Sequence, residues 1–282
     1  MSDPTQSDLT PRPTLDDEGD PPPALVIPPM LVGRRGLVLG VANPRSLAWA
    51  AVEALAAAGA QVAFTYLDER AARRARPLAE RVGSPFSAPC DVRDDASLKA
   101  AIDGAAAALG GLDFVVHSVA FAEQDDLAAP LYDCSREGFR IALDVSAYSL
   151  VRAVHFALPH LTAGASVVTL TYLGARVAVP LYGLMGPAKA ALEAEVRYLA
   201  RELGPRGVRV NAVSAGPVKT LAAAGLPGFR ERLRETTART PLGRGVTHEE
   251  VAAAVCFLCS PLSGGVTATT LHVDAGEHAV SL

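Results

Sequence analysis

Seven short, largely apolar runs separated by stretches of helical spacing begin near Gly33, and this pattern narrows the available folds more than any other feature. The runs fall at 36–41, 61–66, 85–90, 112–118, 165–171, 208–213 and 269–273. Helical patterns occupy 47–58, 69–82, 96–109, 137–161, 188–203 and 248–259. A strand covered on both faces need not alternate polar with apolar residues, as a half-wet one must. Strands of that kind alternating with helices build a parallel sheet sandwiched between helical layers. The expected class is therefore α/β, with one Rossmann-type, doubly wound, seven-stranded parallel sheet spanning residues 31–282. The helix over 47–58 is alanine-rich and stopped by Gly59, while that over 69–82 is basic and amphipathic.

The first thirty residues differ from the rest. They hold eight prolines, six acids and one arginine, a charge of −5 against −4 for the whole chain, which leaves +1 for the other 252 residues. Such a segment buries too little apolar surface to offset its ordering entropy, so residues 1–30 read as a Pro/Asp-rich, mostly disordered tail. In a second reading, Leu25-Val26-Ile27 docks on the domain or on a neighbouring subunit. With 26 basic and 30 acidic residues, the chain has no global pull on nucleic acid or anionic membrane. It contains no run of about 18 apolar residues, and no basic segment followed by an apolar stretch follows Met1. The expectation is a soluble cytoplasmic protein.

Four cysteines do not make a disulfide scaffold. Cys256 and Cys259 form a C-x-x-C, but late on an apolar helix, whereas a redox thiol favours a helix N-terminus that lowers its pKa. They read as buried structural thiols. No metal site is expected, because no paired histidines stand near Cys90 or Cys134.

Ligands of a doubly wound sheet collect at the carboxyl ends of its strands. After the first strand the chain reads Gly40-Val-Ala-Asn-Pro-Arg-Ser46-Leu47, without the usual G-x-G-x-x-G. Ser46 could help the helix N-terminus hold a pyrophosphate, or be an ordinary N-cap; the turn alone favours neither. After the second strand, Asp68 and Glu69 would repel the extra phosphate of NADP and favour NAD, while Arg70, Arg73 and Arg74 pull the other way. The most informative segment runs Leu170-Thr-Tyr172-Leu-Gly-Ala-Arg-Val-Ala-Val-Pro-Leu-Tyr182-Gly-Leu-Met-Gly-Pro-Ala-Lys189, from a strand into a helix.

In that segment the chain resembles an enoyl-acyl-carrier-protein reductase of the short-chain dehydrogenase/reductase superfamily, the enzyme that closes each cycle of bacterial fatty-acid elongation. The resemblance extends from about Gly33 to about Ala279. It includes Gly-Val-Ala-x-x-x-Ser at 40–46, Ala-Phe-Thr-Tyr at 63–66, Cys-Asp-Val at 90–92, Val-His-Ser at 116–118, Ser-Ala-Gly-Pro at 214–217, Thr-Leu-Ala-Ala at 220–223 and His-Val-Asp at 272–274. Each is weak alone; in order they are specific.

What the resemblance implies is reduction of the C2=C3 bond of an enoyl thioester by NADH, in fatty-acid elongation or a related acyl pathway. The substrate would arrive on acyl carrier protein, and the enzyme would be a homotetramer. Tyr182 would stabilise or protonate the enolate oxygen, Tyr172 would assist or shape the acyl pocket, and Lys189 would hold the nicotinamide ribose. Cofactor contacts carried over are Gly40, Ser46, Leu47, Leu67, Asp91, Val92, Val119, Lys189, Val218, Lys219, Thr220, Leu221 and Ala222, with Asp91-Val92 cradling the adenine. Ala122 and Tyr172 would border the substrate, and residues of about 217–240 would cover it.

The spacing adds a physical reason. Carbonyl-reducing members of the superfamily typically place Tyr four residues before Lys, a position held here by Met185, which cannot donate a proton. Tyr182 stands seven before Lys189; on a helix that is the same face, about 4.5 Å further along the axis. A ketone takes hydride and proton on one C=O, whereas an enoyl thioester takes hydride at C3 while charge builds on the carbonyl oxygen. The more distant donor suits conjugate reduction.

Departures from the family pattern are also present. Leu67, Ala120, Ala275 and Glu277-His278 replace residues common in the family, and Pro227-Gly228 and Glu231 stand where portal residues are often basic, leaving Arg230, Arg232 and Arg234 to meet an acidic carrier. Pro187 either begins the helix that carries Lys189 or kinks it. Two other readings remain open: a divergent reductase of another conjugated substrate, and a non-catalytic NAD-binding partner subunit.

Overall fold

The computed structural model describes residues 25–216, 218, 237 and 239–280. Its seven strands are β1 (Arg35–Leu39), β2 (Gln61–Tyr66), β3 (Ser87–Pro89), β4 (Leu112–His117), β5 (Leu161–Thr171), β6 (Arg209–Ala215) and β7 (Thr270–Val273). They form one sheet in the order β3-β2-β1-β4-β5-β6-β7, with every neighbouring pair parallel. The expected doubly wound sheet is therefore present, and its order reverses between β1 and β4.

Helices α1 (Leu47–Ala57), α2 (Glu69–Val82), α3 (Asp95–Leu109), α4 (Gln124–Ala128), α5 (Arg136–Leu143), α6 (Ser149–Ala157), α7 (Met185–Leu203) and α8 (His248–Cys259) surround it. Local chemistry sets several of their ends. Asp68 caps α2 by accepting from the Ala71 amide, and Gly83 closes it in the left-handed conformation. A reciprocal capping box of Thr247 and Glu250 opens α8.

One face of the sheet packs on α1, α2 and α8, with Trp49, Leu55, Phe64, Phe114, Val213 and Leu258 all buried. The other packs on α3 and α6 near its centre and on α6 and α7 further along. Strands covered on both faces explain why the apolar runs do not alternate. Cys256 and Cys259 lie buried in the first of these layers, and burial pushes the Cys256 thiol up to about 12; both thiols are structural.

Residues 1–24 of the tail lie outside the described residues, whereas Ile27 and Met30 pack against the core beside the fully buried Leu31.

The stretch 137–161 is not the single long helix its apolar spacing suggests. It divides into α5, a π-helical turn over Asp144–Tyr148, and α6, which ends at Ala157; Leu161 already belongs to β5 and pairs with Leu112. The extra residue of the π turn re-aims two hydroxyls. Ser146 Oγ accepts from the Phe121 amide at 2.9 Å, and Ser149 Oγ lies 2.8 Å from His117 Nε2. Those partners hold the end of β4 and the loop after it, a tertiary demand that helical periodicity cannot register.

Candidate active site

A crevice forms where the strand order reverses, between the carboxyl ends of β1 and β4. Gly40, just past β1, has φ +95°, and a Cβ there would lie 2.4 Å from Ser118 O and 3.0 Å from Val119 Cγ2. Only glycine fits so close a junction, and it brings the expected cofactor positions Gly40 and Val119 together. Ser46 is the N-cap of α1: its Oγ accepts from the Trp49 amide at 3.2 Å and donates to Asn43 O at 2.8 Å. The eleven-residue α1 thus points its amide end at the crevice, with Leu47 half-buried in its first turn. A dinucleotide fits these residues: a backbone with no room for Cβ and a helix N-terminus suited to a pyrophosphate.

Further along the rim, Leu67 at the end of β2 is 61% exposed, and Asp68 and Glu69 follow it on the surface. Asp91, just past β3, is gripped by Arg93 through Nε–Oδ1 at 3.0 Å and Nη2–Oδ2 at 2.6 Å, and this pairing holds its carboxyl below the usual range. Val92 packs against the core layer formed with α3 and α6. Ala122 is half-buried beside the loop that Ser146 pins, and Val218 is buried. Lys219, Thr220, Leu221, Ala222 and nearly all of 217–240 lie outside the described residues.

At the end of β5, the rings of Tyr172 and Tyr182 meet edge-to-face with centroids 4.8 Å apart. Tyr182 is not on the helix. Helix α7 begins at Met185, with Pro187 in its first turn, and Tyr182 stands in the preceding turn between Leu181 (φ +62°) and Gly183 (φ +41°). Proline has therefore begun the helix and not kinked it. The axial-rise argument for the seven-residue spacing accordingly fails over its first residues. What aims Tyr182 is packing: its ring occupies the space where a Cβ on Gly174 would stand, 2.3 Å from Cδ1. Tyr172 Oη also reaches Glu277 Oε1 at 3.5 Å.

Lys189, on the buried face of α7, donates from Nζ to Leu170 O at 2.9 Å. Burial lowers its pKa to about 8, opposed by the carboxylate of Glu193 one turn on. Glu193 is itself held by Arg176 at 3.0 Å and by the Thr171 hydroxyl at 3.1 Å. Beneath this level His117 is fully buried between Thr169 Oγ1 (2.9 Å) and Ser149 Oγ, and burial depresses it to about 3. The imidazole is neutral. Sequence motifs include His117 without assigning it a task, and Gly174, Ser146 and Glu277 carry no spacing signal at all; their partners lie 8 to 105 residues away.

An all-parallel, doubly wound sheet with a glycine-tight crevice at its reversal is the architecture of Rossmann-type dinucleotide-binding proteins. The chain belongs to the enoyl-(acyl carrier protein) reductase family, whose family model matches residues 40–278. It is 45% identical over 253 residues to enoyl-[acyl-carrier-protein] reductase [NADH] 1 of Rhizobium meliloti, covering 90% of this chain and 93% of that one. Among solved structures, the enoyl-[acyl-carrier-protein] reductase (NADH) of Aquifex aeolicus superposes with a TM-score of 0.87 at 42% identity, over 90% of this chain and 99% of its own. The reductase of Anaplasma phagocytophilum in complex with NAD gives 0.86 at 43% identity, over 90% and 97%.

Proposed function

We infer that this chain reduces the C2=C3 double bond of an enoyl thioester borne on acyl carrier protein, with NADH as reductant, in fatty-acid elongation or a related acyl pathway. The observation that carries the reading is the Tyr172–Tyr182 pair at the end of β5, the strand whose Leu170 carbonyl accepts from the buried Lys189, with Met185 at the position four before the lysine. NADH, when bound, would supply the hydride that C3 of the substrate takes up. Negative charge then develops on the thioester oxygen, and the Tyr182 hydroxyl is the donor that stabilises it, the term that dominates barriers of this type. Tyr172 buttresses that ring and borders the acyl chain together with Ala122. The Lys189 ammonium would hold the nicotinamide ribose, while Gly40, Val119 and the amide end of α1 would receive the pyrophosphate and Asp91-Val92 the adenine. The carboxylates of Asp68 and Glu69 at the end of β2 oppose a 2′-phosphate and support NADH over NADPH.

The active unit is a homotetramer, a reading supported by large apolar side chains left in water on its helices. Tyr198 on α7 is 71% exposed, and Phe139 and Tyr148 on the α5–π segment are also exposed. No helix among the described residues is long and apolar enough to cross a membrane, which is compatible with a cytoplasmic setting. The reading is tested by mixing the protein with NADH and crotonyl-CoA or a longer enoyl thioester and following loss of NADH absorbance. Tyr182→Phe should lower turnover on the order of 100-fold, the scale of one lost oxyanion donor, with NADH affinity nearly unchanged. Full turnover in that variant removes Tyr182 from the mechanism. No oxidation of NADH by wild type would favour the non-catalytic partner.

A further inference from the structure

We propose that His272, Asp274 and His278 form a binding site for one divalent transition-metal ion of the zinc class, at the carboxyl end of β7. Their spacing, H-x-D-x-x-x-H, gathers ligands from the strand, from its end and from the 3₁₀ turn over Glu277–Ala279. One donor atom from each lies within 4.8 Å of the other two, and this is the single cluster of its kind among the described residues. Asp274 is 4% exposed, and its carboxylate is oriented before any ion arrives by the amides of Gly276 and His278, both at 3.0 Å. His278 Nδ1 stands 2.9 Å from Asp274 Oδ2, and His272 Nδ1 stands 3.7 Å from the same oxygen. The two distances bracket the separation of about 3.3 Å between donors around a tetrahedral zinc with ligand bonds near 2.0–2.1 Å.

The second pointer is His272 itself. Its Nδ1 is buried and has no hydrogen-bond partner, an arrangement that costs free energy unless something else meets the lone pair. The two imidazoles stack at 4.0 Å with 17° between planes, so an ion held by both requires the exposed ring of His278 to turn out of the stack and bring its in-plane lone pair toward His272 Nδ1. A metal ion bound there would take the Nδ1 lone pair of the neutral imidazole of His278, whose single ring proton would then sit on Nε2. His278 is the solvent-facing ligand, with a side chain 39% exposed, and gives both a route of entry and room for water in the fourth position. Two imidazoles and a single carboxylate suit zinc, cobalt or nickel, and not magnesium or calcium, which require oxygen donors. None of the three ligands is among the residues assigned above to cofactor or substrate, and the proposal holds whatever the substrate of the reductase.

The experiment uses the full chain without an affinity tag, stripped with EDTA and titrated with zinc chloride by calorimetry, then with cobalt(II) by visible spectroscopy. One ion per chain should bind, and the cobalt form should show tetrahedral ligand-field bands without a thiolate charge-transfer band. His278→Ala should weaken zinc binding at least tenfold, on the scale of losing one ligand. His278→Gln, which keeps a polar group in the turn, should weaken it comparably, with circular dichroism confirming that both variants are folded. Absence of saturable uptake overturns the site. So does unchanged affinity in both variants, or a thiolate band that moves the ion to Cys134, Cys256 or Cys259.

Discussion

Lys189 offers a sharp test of the proposed function, because the role given to it calls for a charge where burial opposes one. Its pKa falls from 10.5 to about 8, a penalty of roughly 3 kcal/mol on the ammonium form. If that ammonium holds the nicotinamide ribose, NADH affinity must follow its protonation. A group of pKa about 8 is about nine-tenths charged at pH 7 and about one-tenth charged at pH 9, so kcat/KM for NADH, which reports the free enzyme, should drop about tenfold across that interval. Glu193 supplies the charge that raises the Lys189 pKa against burial, so Glu193→Gln should move the break toward lower pH. Alkaline unfolding would not mimic this. A lysine whose folded pKa is below its unfolded value gains stability as pH rises between the two, so the fold should strengthen through the window from about 8 to about 10.5 while affinity falls. NADH titrations by fluorescence over this range, on wild type and Glu193→Gln, decide the matter. Affinity that stays flat beyond pH 9, or a break at the same pH in both proteins, would refute the role given to Lys189.

Two further outcomes follow from packing and burial. Gly174→Ala puts a methyl 2.3 Å from the Tyr182 ring, so it should cut kcat at least tenfold through displacement of that ring while NADH binding persists; unchanged kcat would mean that the ring's seat is unimportant. His117 is neutral in the fold and depressed to about 3, so acidification from its unfolded pKa of about 6.5 to pH 5 should cost about 2 kcal/mol of stability. Glu195, whose carboxyl burial pushes up to about 7, acts in the opposite sense over much of that range. The measurable quantity is therefore the difference between wild type and His117→Gln in urea unfolding, and parallel pH dependences would contradict it.

Elements whose character is written in neighbouring residues were legible in the sequence. The bounds of β2, α2 and α8 agree with the spacing to the residue, because apolar content, an Asp or Thr cap and a terminal Gly or Ser act within a few positions. The parallel, doubly wound class followed from runs that needed cover on both faces. The family followed from motifs in order. The π turn at 144–148 did not, since an apolar spacing that continues through 161 cannot reveal that Ser146 must meet Phe121 and Leu161 must meet Leu112. Nor could the Tyr–Lys interval show that Tyr182 lies off the helix.

The sequence by itself determined the parallel sheet and its helical layers, and it singled out Gly40, Tyr172, Tyr182 and Lys189 as candidates for the site. Only the tertiary structure decided that the Tyr182 ring is seated on Gly174, that Lys189 is buried beside Glu193, and that His272 and His278 stack on each other next to Asp274. The reason is range: periodicity and capping act over one or two turns of chain, whereas ring seating, burial and donor clustering depend on segments that meet only after the sheet has closed.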